Sequence, residues 1–233
     1  MKQQYFGDVN DYLKYGVLRC CVTSGFRLGV CWMLTPPDDR TDGRKLVYLE
    51  RPDEWRPHDP TLFDLLRSTL KRAGGRHVRH AEQKLLQGSH FFGDVVPDAL
   101  NARAEWFRAA RAKLASSDLI FFDPDNGIEV ASKACGRKNS SKYVYWHELA
   151  ASWNDGASLL VFQHFSRLKR DEHIAQLRSR LLAHAPAANV VPLRSANVLF
   201  LLAYRKAHAT RAKRMMNMLS SQWSGRIWNH VAA

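Results

Sequence analysis

Three carboxylates and an amide stand close together in the middle of the chain: Asp123, Asp125, Asn126 and Glu129, with Pro124 and Gly127 among them. Carboxylates so spaced can bind a cation, accept hydrogen bonds from an amine or act as a general base. Asp123 and Asp125, separated by a single residue, are oxygen ligands suited to Mg²⁺, and Glu129 supplies a third. The same Asp-Pro-Asp-Asn-Gly run is also a good turn, since every residue type in it favours one. The next segment, Gly136-Arg-Lys-Asn-Ser-Ser-Lys-Tyr143, weighs against a bare turn because it keeps supplying polar groups. Arg137, Lys138 and Lys142 within it are candidates to hold a substrate.

The elements that position these groups are legible in outline. Leu119 to Phe122 is an apolar run of β-formers, too short for a buried helix, that stops at the turn cluster. It predicts a buried central strand whose carboxyl end opens into the polar loop, and ligands of open α/β sheets sit outside the carboxyl ends of strands. A second buried strand is expected over 157–165. It ends at Gln163 and His164, so His164 is either a site residue or a satisfied structural histidine. Near the start of the chain, Asp8 or Asn10 caps a helix with Tyr12, Leu13, Val17 and Leu18 on its apolar side. Asp11, Lys14 and Tyr15 share one face of it. They form either a solvated ion pair or a helix start that lines a ligand site.

The remaining segments alternate. A strand is expected over 28–35, running into a rigid turn at Pro36-Pro37-Asp38-Asp39, and another over 45–50. A helix over 61–72 turns Leu62, Leu65, Leu66 and Leu70 inward and stops at Gly74-Gly75. After a short strand at Val78, a helix over 99–115 places Leu100, Ala104, Phe107, Ala110 and Leu114 on one side and leaves Arg103, Arg108, Arg111 and Lys113 outside. His147 and Glu148 fall at a helix start. A helix over 169–185 precedes a strand pair at 189–192 and 198–204. A basic helix over 208–223 packs through Met215, Met216 and Met218. Trp223 and Trp228 are expected to close the core rather than bind a base. This order predicts a single α/β domain over 1–233: a three-layer sandwich with a mostly parallel sheet and an antiparallel edge strand. Neither GxGxxG nor GxxxxGK[ST] occurs, which argues against a P-loop or a standard dinucleotide site.

Composition bounds the partners. Lys and Arg number 35 against 22 Asp and Glu, a net charge of +13, spread along the whole length. A polyanionic partner, nucleic acid above all, is the natural inference, and an inert basic surface is the bland alternative. Cys20, Cys21, Cys31 and Cys135 show no CxxC spacing and read as reduced packing thiols. There is no apolar run long enough to cross a membrane and no signal-peptide core, so a cytoplasmic protein with no membrane partner is expected.

Two segments carry a resemblance. Gly7-Asp-Val-Asn-Asp-Tyr-Leu-Lys-Tyr15 resembles the Gly-Asn-x-x-Asp-x-Leu-Lys-His segment of bacterial large-subunit ribosomal RNA adenine-N6 methyltransferases of the RlmJ type. Gly7, Asp11, Leu13 and Lys14 match it, while Asp8 and Tyr15 replace Asn and His. Asp123-Pro124-Asp125-Asn126 resembles a variant of the Asp-Pro-Pro-Tyr motif of amino-methyltransferases. The chain as a whole is also similar to members of an uncharacterised bacterial family. The methyltransferase resemblance implies a Rossmann-like methyltransferase fold that binds S-adenosylmethionine near Gly7, Asp8, Asp11, Lys14 and Tyr15. It implies that Asp123 and the Pro124 carbonyl accept hydrogen bonds from a nucleic-acid base amine and orient its lone pair, with Asp125 and Asn126 completing the motif. Asp125 stands where the motif has Pro, and Asn126 stands where it has an aromatic ring to stack on the base.

Two other classes remain open on the residues alone. One is a Mg²⁺-dependent nuclease or phosphoesterase using Asp123, Asp125, Glu129 and Glu148, assisted by Lys142 or His164. The other is a non-enzymatic nucleic-acid-binding protein on a decayed methyltransferase fold, which needs only the charge.

Overall fold

The computed structural model describes residues 1–36, 43, 45–72 and 76–230. In chain order it forms α1 (Val9–Thr23), β1 (Leu28–Cys31), α2 (Pro52–Trp55), α3 (Pro60–Leu70), α4 (Arg79–Lys84), β2 (His90–Phe92), α5 (Leu100–Leu114), β3 (Leu119–Phe122), β4 (Gly127–Ile128) and β5 (Tyr143–Val144). Then come α6 (Trp146–Asn154), β6 (Ser158–His164), α7 (Arg170–His184), β7 (Asn189–Arg194), β8 (Val198–Tyr204), α8 (Ala209–Gln222) and β9 (Trp228–Asn229).

Seven strands make one sheet in the order β2-β1-β3-β6-β8-β7-β9, and β4 pairs with β5 separately. From β2 to β6 every pairing is parallel. β8 runs against β6, β7 against β8, and β9 against β7. Only β8 and β9 therefore oppose the other five strands. The expected α/β sheet, mostly parallel with an antiparallel edge, is present. The short connection between β7 and β8 makes them a hairpin, whereas the parallel strands need helical crossovers.

Alternation along β3 shows how the layers form. Leu119 and Phe121 enter a core shared with α1, α3, α4 and α8, while Ile120 and Phe122 enter a second core with α5, α6 and α7. All four are buried because helices cover both faces, which is why this strand reads as a continuous apolar run. Helices on both faces of the sheet give the three layers. Gly16 sets the spacing between α1 and α8. A Cβ there would lie 2.1 Å from Cζ2 of Trp223, so the buried indole rests directly on the α1 backbone.

Four expectations fail. The segment 45–50 is no strand: Val47–Glu50 is a 3₁₀ turn leading to Pro52, with Val47 exposed and only Tyr48 buried. One inward side chain cannot support a strand, and the Tyr48 hydroxyl instead donates to the Gly7 carbonyl (2.9 Å). Val78 is the helical residue leading into α4, because a lone β-branched residue is outweighed by the helix formers after it. On α5 the buried stripe is Arg103, Trp106, Ala110 and Leu114, while Leu100 is 60% exposed. Arg103 is tolerated inside because it makes a two-pronged pair with Glu148 on α6 (2.7 and 2.8 Å). Trp223 closes the core as expected, but Trp228 does not: it lies on the outermost strand and is 39% exposed. The Pro37-Asp38-Asp39 part of the expected turn and the Gly74-Gly75 stop lie outside the described residues.

Candidate functional site

The first turn of α1 is organised by carboxylates. Asp8 caps the helix, accepting from the backbone N–H of Asn10 (2.8 Å) and Asp11 (3.0 Å). Asp11, one turn in, accepts from the Gly7 N–H (3.2 Å) and the Tyr15 hydroxyl (3.3 Å). The Lys14 ammonium donates to Asp11 Oδ1 and to Asp123 Oδ2, both at 2.8 Å. The pair is not solvated: the Lys14 side chain is 2% exposed. Burial alone would lower the lysine pKa, but the Asp11 and Asp123 carboxylates outweigh it and hold the ammonium firmly charged. Asp11 is pushed the other way. Burial raises it most, Lys14 pulls it back, and Asp8 and Asp123 add repulsion, leaving it at about 7.

The opposite wall comes from strand ends. β3 stops as the Asp123 N–H donates to the Cys31 carbonyl (3.1 Å), which carries the parallel pairing one residue further. The Asp123 carbonyl accepts from the Met1 ammonium (3.1 Å). Asp125 faces the Lys2 ammonium at 3.8 Å and, through its buried Oδ1, the Met1 ammonium at 3.9 Å, but Oδ1 accepts no hydrogen bond. Phe162 and His164 share one side of β6, as a two-residue spacing demands. The Phe162 ring lies 5.0 Å from the Lys14 nitrogen and meets the His164 ring edge-on at 4.9 Å. The surrounding protein, and then the Lys14 charge, hold the His164 imidazole below its ordinary value, although the residue as a whole is exposed at the rim.

Gln163, between these two, acts as a strap. Its Oε1 accepts from the Ile128 N–H (2.7 Å) and its Nε2 donates to the His164 carbonyl (2.6 Å). Gly127 makes room for it. A Cβ there would stand 2.4 Å from Gln163 Oε1, and the backbone φ of +105° suits only glycine. The turn after β3 is thus tied to the end of β6.

Together these groups enclose a cavity of about 430 Å³ at the carboxyl ends of β3 and β6. Asp8, Asn10, Asp11, Lys14, Asp123, Pro124, Asp125 and His164 all line it. Asn10 Oδ1, like Asp125 Oδ1, is a buried acceptor with no hydrogen bond. The lining therefore holds four aspartates against Lys14, Lys45 and the Met1 ammonium, and it presents spare acceptors. A ligand bearing amines or a positive charge meets complementary acceptors there.

Other sequence candidates lie elsewhere. Gly7 and Tyr15 stand behind Asp11 and hold it, without lining the cavity. Asn126, Glu129 and Lys142 line an adjoining hollow that shares Asp125 and His164 with the first. Asn126 is exposed there, and its N–H donates to the Lys142 carbonyl (2.8 Å). Arg137 and Lys138 line neither hollow. The four proposed magnesium ligands do not converge. Glu129 turns to the Trp146 N–H (3.2 Å) and Arg180 (3.7 Å), and Glu148 is committed to Arg103 and the Tyr145 N–H. Among the described residues no cluster of three or more His, Cys, Asp or Glu side chains is placed to hold a metal ion. The Lys14 ammonium occupies the position between Asp11 and Asp123 where a cation would otherwise sit. Phe162 escaped sequence reasoning, although its spacing from His164 was a usable signal.

Compared with protein-family models, curated proteins and solved structures, the chain matches none. The geometry defines an α/β protein with an aspartate-lined cavity at its strand ends.

Proposed function

We propose that this cavity binds S-adenosylmethionine and that the protein transfers its methyl group to an amine of a nucleic-acid base. The observation that carries the reading is the Asp11–Lys14–Asp123 array, which brings the two segments that carry the methyltransferase resemblance to one cavity. The donor set suits that cofactor, because Asn10 Oδ1 and Asp125 Oδ1 are buried acceptors without a hydrogen bond that a phosphate-free, cationic molecule can use. The mixed sheet with its antiparallel edge is compatible with a Rossmann-like methyltransferase.

When bound, the cofactor supplies an electrophilic methyl group. Asp8, Asn10 and Asp125 are the acceptors suited to its ammonium and sulfonium charges. Lys14 keeps Asp11 and Asp123 together. The Asp123 side chain and the Pro124 carbonyl accept hydrogen bonds from the substrate amine, turning its lone pair toward the methyl group. The acceleration is positioning and electrostatics, with no covalent enzyme intermediate. A base within a duplex must first leave the stack to reach this depth. The missing aromatic at Asn126 means that the base is held by polar contacts and the adjoining hollow rather than by a ring at that position.

Calorimetric titration tests the reading. Wild-type protein is expected to bind S-adenosylmethionine and Lys14→Ala to lose it. Asp123→Asn is expected to keep the fold by circular dichroism yet put no labelled methyl into bulk RNA or DNA. Absence of cofactor binding by the wild type overturns the reading. Magnesium binding that disappears in Asp123→Asn would instead support phosphodiester hydrolysis.

A further inference from the structure

A row of alternating cations and aromatic rings runs outward from the rim of the cavity along the same end of the sheet. The register fixes its line. His164 pairs with Val198, Arg194 with Leu199, and Arg194 again with Trp228. The ends of β3, β6, β8, β7 and β9 thus form one edge, about 19 Å across its four strand spacings. Along it the Arg170 guanidinium lies 5.1 Å from the Phe165 ring, and Arg194 lies 5.3 Å from both Phe165 and Trp228. Phe165 also lines the hollow that adjoins the cavity.

Two features make this more than packing. Trp228 is 39% exposed on the outermost strand, where a purely structural indole would be covered. The buried Nε of Arg194 has no hydrogen-bond acceptor, and its nearest carboxylate, Asp171 at 3.7 Å, is itself 80% exposed. Arg167 and Lys169, both exposed, flank the row. Aromatic faces interleaved with guanidinium groups suit a flexible polyanion that carries its own flat rings.

We propose that this edge is the path by which a single-stranded nucleic acid reaches the cavity. Trp228 offers a face to a base and the exposed Arg170 takes a neighbouring phosphate, while the half-buried Arg194 holds the Phe165 and Trp228 rings in line between them. The proposal rests on the nucleic-acid half of the functional reading and not on the methyl donor. A duplex, whose bases are already stacked, gains nothing from the rings.

Fluorescence anisotropy with a labelled RNA single strand of about twelve nucleotides, and with the duplex of the same sequence, tests it. Trp228→Ala and Arg170→Glu are each expected to weaken single-strand binding by at least about fivefold. Lys113→Ala, at an exposed position on α5, is expected to leave it unchanged. Because Arg170 is exposed, its substitution does not threaten the fold. Wild-type affinity in both variants, preference for duplex, or an effect of Arg170→Glu without one of Trp228→Ala overturns the path. Titration of S-adenosylmethionine into the same Trp228→Ala protein separates the two proposals. Donor binding with an undisturbed oligonucleotide affinity sinks the path alone. Ring-dependent oligonucleotide binding without donor binding sinks methyl transfer alone.

Discussion

Lys14 serves two carboxylates with one charge, and the consequences are local. Replacing it with Met leaves Asp11 and Asp123 facing each other without a counterion in a buried setting. We expect Lys14→Met to cost about 3–5 kcal/mol, read from urea denaturation at neutral pH. Asp11, raised to about 7, would also tie the proposed cofactor binding to pH. Its folded pKa exceeds its unfolded one, so the folded state holds the extra proton between about pH 4 and 7, and stability contributed by that proton declines as pH rises through this window. A cationic ligand favours the ionised carboxylate, so affinity for S-adenosylmethionine is expected to rise from pH 6 to 8. Calorimetry in buffers of different ionisation enthalpy would detect the released proton. The spacing of Asp11, Lys14 and Tyr15 made their shared face legible in the sequence. The bond to Asp123 was not, because 109 residues separate the partners and only the sheet brings them together.

At the scale of elements, the contact between α1 and α8 is set by an absence of side chain. Gly16→Ala would drive a methyl into the Trp223 indole, and since the ring is buried it has nowhere simple to go. A loss of about 1–3 kcal/mol is expected, read as a lowered denaturant midpoint with unchanged slope. The long apolar runs that became β3, β6 and β8 were legible because both faces of each are covered. The segment at 45–50 misled because apolar residues at consecutive positions resemble a strand whether or not a neighbour exists to pair with. The α5 face misled for a different reason. Burial of Arg103 depends on Glu148 in another helix, and helical periodicity scores an arginine as outside. Trp228 was misplaced because edge position is a property of strand order, which local sequence does not specify.

Over the whole molecule, a net charge of +13 coexists with a cavity rich in aspartate. Under the proposed function the two serve different ends: the surface would gather a polyanion, and the cavity would accept an amine of its bases. Single-strand binding should therefore fall steeply with salt, by about 0.7 in log–log slope for each phosphate neutralised. Arg170→Glu is expected to flatten that slope, whereas Trp228→Ala lowers affinity and keeps it. Equal slopes for all three proteins would show that the guanidinium row meets no phosphate. The strap at Gln163 has one last bearing on how the opening works. By gripping main chain on either side, it makes the acidic turn and the histidine rim a single mechanical piece. Any displacement of one is therefore expected to carry the other with it, and Gln163→Ala to let the two move independently.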